Sequence, residues 1–464
     1  MQKSKIKINE FFILGVSLFA LFFVAHGAQA ATYYVAKTGN DSNNCTQAQS
    51  TGIPKLTIAA GIACLSGGDT LIIKAGTYAE AIAPAAVPSG GGEESRTIIQ
   101  GESAATTAMT IIRPNSGDAV IQFSNKSYVT LKYLTLDGVN VSSWGVSFQN
   151  ASHHIRVEGC VVKNTGSGGG GVGAIDAATD QTTDRHHFEI VNNEIFNHGA
   201  TTFDHGIYLR ARDNLIAGNV IHDSRGYGIR TDRPISGISS DNNIMRNNRI
   251  YNNSRGINVG GGSNIQVYNN LIYSNGGDID VGGIYIGNGN PNNARIYNNT
   301  VVSNQGYGVW ISSGTGHIAK NNILWQNTVG AIQQATTGNT LSNNLATDPQ
   351  FLSSSTNDFH LQSTSPAINV GVTLSEVTTD FDGVLRPQGS AYDIGAYEYV
   401  SGGTPTPPPA GGSSDLNSDG KVNSVDAAIL MGAWGSTFKP KADINQDGIV
   451  NSVDASLMMG QWSL

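Results

Sequence analysis

Between about residue 120 and residue 345 the chain repeats one short pattern, and this repeat constrains the fold more than any other feature. An apolar alternation leads to Asn-Asn or Gly-Asn, then to another apolar pair, and then to a Gly-Ile or Gly-Val that opens a further strand. Glu189-Ile190-Val191-Asn192-Asn193-Glu194-Ile195 is answered by Leu215-Ile216-Ala217-Gly218-Asn219-Val220-Ile221 and by Ile244-Met245-Arg246-Asn247-Asn248-Arg249-Ile250. From Ile195 through Ile221, Ile250, Ile272 and Val301 to Leu324 the intervals are 26, 29, 22, 29 and 23 residues. A fixed apolar register with a varying period means loops inserted into constant coils. One coil cannot bury its own apolar side, so the coils must stack. Each inward Ile, Val or Leu then contributes about 1.5 to 3 kcal/mol.

The Asn closing the first strand of each coil suits a tight corner, because Asn tolerates left-handed backbone angles and its amide can bond the next coil's backbone. Asn193, Asn219, Asn248, Asn270, Asn299 and Asn322 are therefore expected to form a structural ladder. Composition agrees with strands and turns. Charged residues are 13% while glycine fills 57 positions, too few charges to solvate the outer faces of many helices. The net charge of −8 and the lack of a Lys/Arg-rich stretch remove the electrostatic footprint of a nucleic-acid binder.

Lys3, Lys5 and Lys7 precede an apolar run from Phe11 to Val24 and then Ala28-Gln29-Ala30, the pattern of a signal peptide cut after Ala30. The run is shorter than the roughly 20 residues of a spanning helix, and no later run is long enough. Of the three cysteines, Cys45 and Cys64 flank a loop near the mature N-terminus and are expected to pair outside the cell. Cys160 lies among apolar residues and reads as a buried thiol. No zinc-type cysteine spacing is present.

The stacked coils resemble a right-handed parallel β-helix of the pectate-lyase-like superfamily. Tyr33-Tyr34-Val35-Ala36, Thr57 to Ile62 and Gly68 to Tyr78 are similar to the N-terminal cap of such proteins, whose apolar helix would plug the first coil. Asp348-Pro349-Gln350-Phe351 and Tyr392 to Glu398 look like the closing segment of these bacterial proteins, expected to cover the edge of the last coil. The Asp and His residues of that segment are read as structural.

Ser401 to Ser414, rich in Pro, Gly and Ser, contains nothing able to build a core and reads as a linker. Beyond it Asp415, Asn417, Asp419, Lys421, Asn423 and Asp426 occupy loop positions 1, 3, 5, 7, 9 and 12, with Gly420 at 6. Asp443, Asn445, Asp447, Ile449, Asn451 and Asp454 repeat this with Gly448. Crowded carboxylates repel one another unless a hard cation joins them, and position 7 offers its carbonyl. Two Ca2+ ions are expected. A loop with one exiting helix, duplicated, resembles a type I dockerin, and that resemblance implies a cohesin-type partner met through Ser424-Val425 and Ser452-Val453. Met431-Gly432 and Met459-Gly460 stand where the family often has a basic pair.

Aligning the coils on the Gly of Gly206-Ile207, Gly228-Ile229, Gly256-Ile257, Gly283-Ile284 and Gly308-Val309 places one outward column: Tyr208, Arg230, Asn258, Tyr285 and Trp310. Aromatic faces stack on sugars and arginines pair with uronate or sulfate, so these are candidate substrate-binding residues. Asp204, His205, Arg210, Arg230 and Asp232 supply acid, base and cation within two coils. A lyase needs a cation and a base, whereas a hydrolase needs two carboxylates, for which Asp204 and Asp232 are the candidates. The pectin-hydrolase signatures Gly-His-Gly and Arg-Ile-Lys are absent.

The expected organisation is a signal peptide at 1–30, an all-β right-handed parallel β-helix with its cap at 31–347 and a closing segment at 348–400. A linker at 401–414 and a small α-helical calcium-binding domain at 415–464 follow. The expected function is a secreted polysaccharide-active protein, hydrolase or lyase, attached to a cell surface or scaffold. The alternative is a non-catalytic carbohydrate-binding or adhesive protein.

Overall fold

The computed structural model describes residues 30–178, 183–232, 239–277 and 281–401, together with Leu416 and Leu430. The expected signal peptide before Ala30, the expected linker after Ser401, all the expected calcium ligands and the two Ser-Val pairs lie outside the described residues.

The described chain winds through three parallel sheets in turn. The first has 12 strands, from Thr32–Val35 to Thr340–Ser342; the second has 10, ending at Ile323–Trp325; the third has 9, from Ala119–Ser124 to Gly330–Gln334. Successive coils pair in register at the expected positions. Ile190 faces Ile216, Ile195 faces Ile221, and Ile207 faces Ile229. All six are fully buried. The repeat therefore supplies three apolar columns, one per sheet, meeting along the axis of the solenoid.

The Asn ladder holds at every expected position. Asn193, Asn219, Asn248, Asn270 and Asn299 each donate Nδ2–H to the Oδ1 of the next coil's Asn, at 2.9 to 3.0 Å, and Asn322 continues it to Asn344. The left-handed angle, however, belongs to the preceding residue. Asn192, Asn247, Asn269, Asn298 and Asn321 have φ between 50° and 57°, and Gly218 takes the same corner at 67°. One residue turns the chain and the next bonds along the stack. A second ladder joins Asn253, Asn275, Asn304 and Asn327 where the second sheet ends.

At the N-terminal end the helix Ile58–Ile62, capped by the Thr57 hydroxyl accepting from Ala60 N–H, buries Ile58 and Ile62 against the first coil. Cys45 and Cys64 are disulfide-bonded beside it, and Cys160 is a buried free thiol. Residues 348–400 do not rest on the last coil alone. They run back along the Asn corner, where Asn247, Asn269, Asn298, Asn321 and Asn343 donate to the carbonyls of Phe381, Thr379, Asp393, Val372 and Val370. The carbonyl-rich segment thus satisfies the outward amides of five coils. Within it Arg386 and Glu398 pair at 2.6 Å with no side-chain exposure. Among the described residues no helix is long and apolar enough to cross a membrane.

Candidate functional site

On the third sheet the strands His205–Leu209, Tyr227–Asp232, Arg255–Gly260, Ile284–Ile286 and Tyr307–Ile311 lie side by side. Tyr208 pairs with Arg230, Arg230 with Asn258, Asn258 with Tyr285 and Tyr285 with Trp310, so the expected column is continuous. It extends to Asp176 on one side and Gln333 on the other.

Asp232 is the hub of this face. Its Oδ2 accepts from the Tyr208 hydroxyl at 2.7 Å, from Arg210 Nη2 at 2.9 Å and from Arg230 Nη2 at 3.2 Å. Arg210 Nη2 also donates to the Tyr208 oxygen at 2.8 Å. Both guanidinium groups lie over the Tyr208 ring, 5.4 and 5.2 Å from its centre. Burial pushes the Tyr208 hydroxyl above its usual pKa, so it stays a donor at neutral pH. Asp232 and Tyr208 are 5% and 6% exposed, whereas the two arginine side chains keep 18% and 19%. The cations, not the carboxylate, meet solvent.

His205 lies beside this hub with its ring 5.0 Å from that of Tyr208. Its Nδ1 accepts from Tyr227 N–H at 3.0 Å, and its Nε2 stands 3.3 Å from Arg230 Nη1. A neutral imidazole has one free lone pair, so it cannot accept at both nitrogens. The backbone donor is fixed and fills Nδ1, which leaves the proton on Nε2 and makes the arginine contact one of packing. Burial, then the Arg230 charge, holds the His205 pKa well below normal.

Asp204 is placed differently from the sequence expectation. It is fully buried: Oδ1 accepts from Gly171 and Val172 N–H, and Oδ2 accepts from Ala200 and Thr201 N–H and the Thr201 hydroxyl. These bonds outweigh burial and lower its pKa. It ties two loops together. Asp204 and Asp232 therefore do not form an open carboxylate pair. Asp176, also fully buried, accepts from the amides of Gly173 and Ala178.

A second column escaped the sequence reading: Tyr227 pairs with Arg255, and the Arg255 guanidinium lies 5.1 Å from the Tyr227 ring centre. The signal was the residue just before each aligned Gly, the position that also holds His205 and Tyr307. The floor is thus cationic around Arg210, Arg230 and Arg255 and aromatic around Tyr285, Trp310 and Tyr307. The Tyr285 and Trp310 rings are 5.1 Å apart, and those of Tyr307 and Trp310 are 6.0 Å apart. Asn258 is fully buried between the two parts, its side-chain amide against the Tyr227 hydroxyl.

Comparison with known proteins bears on the fold. Residues 180–346 match the family model of the right handed beta helix region, and residues 413–461 match the dockerin type I domain. The crystal structure of pectate lyase Pel9A is similar over 80% of this chain and 96% of its own, at 17% identity and a TM-score of 0.56. The A-module of the mannuronan C-5 epimerase AlgE4 of Azotobacter vinelandii covers 61% of this chain and 91% of its own, at 14% identity and a TM-score of 0.36. No curated protein matches the chain. The fold and these matches define a right-handed parallel β-helix protein. Its coils share the fold of pectate lyase Pel9A, and residues 413–461 are similar to a type I dockerin domain.

Proposed function

We propose that this protein is secreted and acts on an acidic extracellular polysaccharide, held along the third sheet, while its C-terminal module binds two Ca2+ ions and docks a cohesin-type domain. The observation that carries the glycan reading is the pair Arg210 and Arg230, converging on Asp232 in a protein of net charge −8. A local cationic floor flanked by Tyr285 and Trp310 suits a chain of charged sugar rings. Pel9A, by its name a pectate lyase, has the same fold.

The sealed state of Asp204 supports elimination rather than hydrolysis, because hydrolysis needs two working carboxylates. In elimination a base takes the proton next to the uronate carboxyl, and a cation stabilises the charge that develops there. Arg210 and Arg230 face that carboxylate. A sugar carboxylate competing for the two guanidinium groups frees Asp232, which accepts the proton as the neighbouring glycosidic C–O bond breaks, while the Tyr208 hydroxyl stays protonated and donates. His205, protonated on Nε2, donates to the bound sugar. Asn258 adds an amide to the floor between the arginines and the aromatic rings.

The test is to incubate the mature protein with pectins, alginates, glycosaminoglycans and neutral glycans, with Ca2+ and with chelator. Unsaturated products and reducing ends are followed. Unsaturated products from an acidic glycan are expected, and no product from any substrate would sink the enzymatic reading. The burial of Tyr208 and Asp232 favours a second reading, a groove that binds without turnover. Retardation in an acidic-glycan gel with no product would select it.

A further inference from the structure

Four histidines form two dipeptides in successive coils, His153-His154 and His186-His187, on the first sheet and its flanking corner. His153 and His186 are bridge partners. Their rings stack at 5.0 Å and 10°, and those of His154 and His187 stack at 4.4 Å and 4°. In a regular strand neighbouring side chains point to opposite faces. Here His154 and His187 have φ of 51° and 57°, the left-handed corner angle that Tyr128 and Asp213 also take in the neighbouring coils. That kink turns each second ring back towards the first, and within each dipeptide the two Nδ1 atoms stand 2.7 Å apart.

Stacked rings are also found on the second sheet, where Phe196, His222, Tyr251 and Tyr273 follow one another at 4.8 to 5.1 Å. That stack has one ring per coil. The histidine group has two per coil, with the Nδ1 atoms of each pair facing one another, an arrangement that stacking alone does not require. One nitrogen from each of His153, His154 and His186 lies within 4.8 Å of the other two. A zinc ion 2.0 to 2.1 Å from each nitrogen in a tetrahedron separates them by about 3.3 Å; the Nδ1 atoms of His153 and His154 stand at 2.7 Å, and all three nitrogens lie within 4.8 Å of one another. Small ring rotations close that difference. The three residues are partly exposed, so an ion can enter. Glu93 Oε1 stands 4.0 Å from His154 Nε2, where a carboxylate can orient a ligating imidazole.

We propose that His153, His154 and His186 bind one divalent transition-metal ion of the imidazole-preferring class, Zn2+, Ni2+ or Cu2+, with His187 stacked beneath as support. Three nitrogen donors do not suit Ca2+ or Mg2+, which take oxygen. The ion would join consecutive coils on the first sheet, away from the third-sheet groove. It differs from the expected calcium loops in ligand type and in its position along the sequence.

The test uses the full untagged chain, metal-stripped and then saturated with Ca2+ so that the C-terminal loops are filled. Zn2+ is titrated against a chromophoric chelator. Wild type should hold one Zn2+ more than the double variant His153→Ala/His186→Ala, or hold it at least tenfold more tightly. His154→Asn/His187→Asn, whose new residues tolerate the left-handed angle, should lose the same ion while melting as a folded protein. X-ray absorption of zinc-loaded wild type should show imidazole nitrogen at about 2.0 Å. Equal zinc uptake by wild type and a folded variant would overturn the proposal. So would an all-oxygen zinc shell in wild type, a result independent of how the variants fold.

Discussion

The Tyr208 hydroxyl donates to Asp232 Oδ2 at 2.7 Å across two adjacent strands of the third sheet. That contact fixes the arginines as well, because Arg210 and Arg230 both bond the same carboxylate oxygen. Replacing Asp232 by Asn keeps the shape but leaves two cations facing a neutral amide. Turnover of an acidic glycan is expected to fall by about 10² to 10⁴. Stability should fall by about 2 kcal/mol through the lost charge-assisted bonds. Arg230→Ala should instead weaken glycan binding and reduce its salt dependence. Initial rates and affinity electrophoresis at two ionic strengths check both outcomes, and an Asp232→Asn protein with full activity would remove the site.

The Asn ladder makes a graded stability prediction. Asn270 accepts from the Asn248 amide and donates to Met245 and Asn299, all inside the solenoid. Asn270→Ala leaves several buried groups unpaired and should cost about 2 to 4 kcal/mol. Asn344, the last rung, is only partly buried, so water can replace its bonds and the same change should cost about 1 kcal/mol. Urea unfolding midpoints of the two variants measure the difference. Equal losses would mean that the rungs do not act through burial.

How much of this was legible depended on whether a feature repeats. The column from Tyr208 to Trp310 could be aligned because each copy carries a Gly and parallel coils stack in register. The cage around Asp204 could not. Its donors, Gly171, Val172, Ala200 and Thr201, lie in loops that the repeat does not constrain. The split between Asn192, which turns, and Asn193, which bonds, was hidden because one residue type suits both tasks. The path of residues 348–400 was likewise unreadable, since its anchoring groups are backbone carbonyls that any sequence supplies.

That closing segment also predicts a pH response. Burial raises the carboxyls of Asp380 and Asp393 from 3.8 to about 6. A raised folded-state pKa means that the native protein binds these protons more readily than the unfolded chain. Their stabilising contribution is therefore complete below about pH 4 and lost as pH rises through about 6. Asp393→Asn removes one titration, so its melting temperature should vary less than wild type between pH 4 and pH 6.5. Parallel curves for the two proteins would contradict the assignment.

Calcium removal should separate the two parts of the chain. The loop ligands lie beyond Ser401 to Ser414, a segment with no core-forming residue, so the β-helix columns should not sense whether the loops are filled. Full-length protein should take up two Ca2+ ions, and Asp419→Ala or Asp447→Ala should each remove one, because position 5 contributes a carboxylate that alanine cannot replace. Chelation should leave the main unfolding transition in place and abolish capture by an immobilised cohesin. If chelation instead lowers the main transition, the module and the solenoid are coupled. Capture that survives chelation would show that docking does not run through Ser424-Val425 and Ser452-Val453 on calcium-ordered helices, because without the ion the acidic loops that position those helices repel themselves apart.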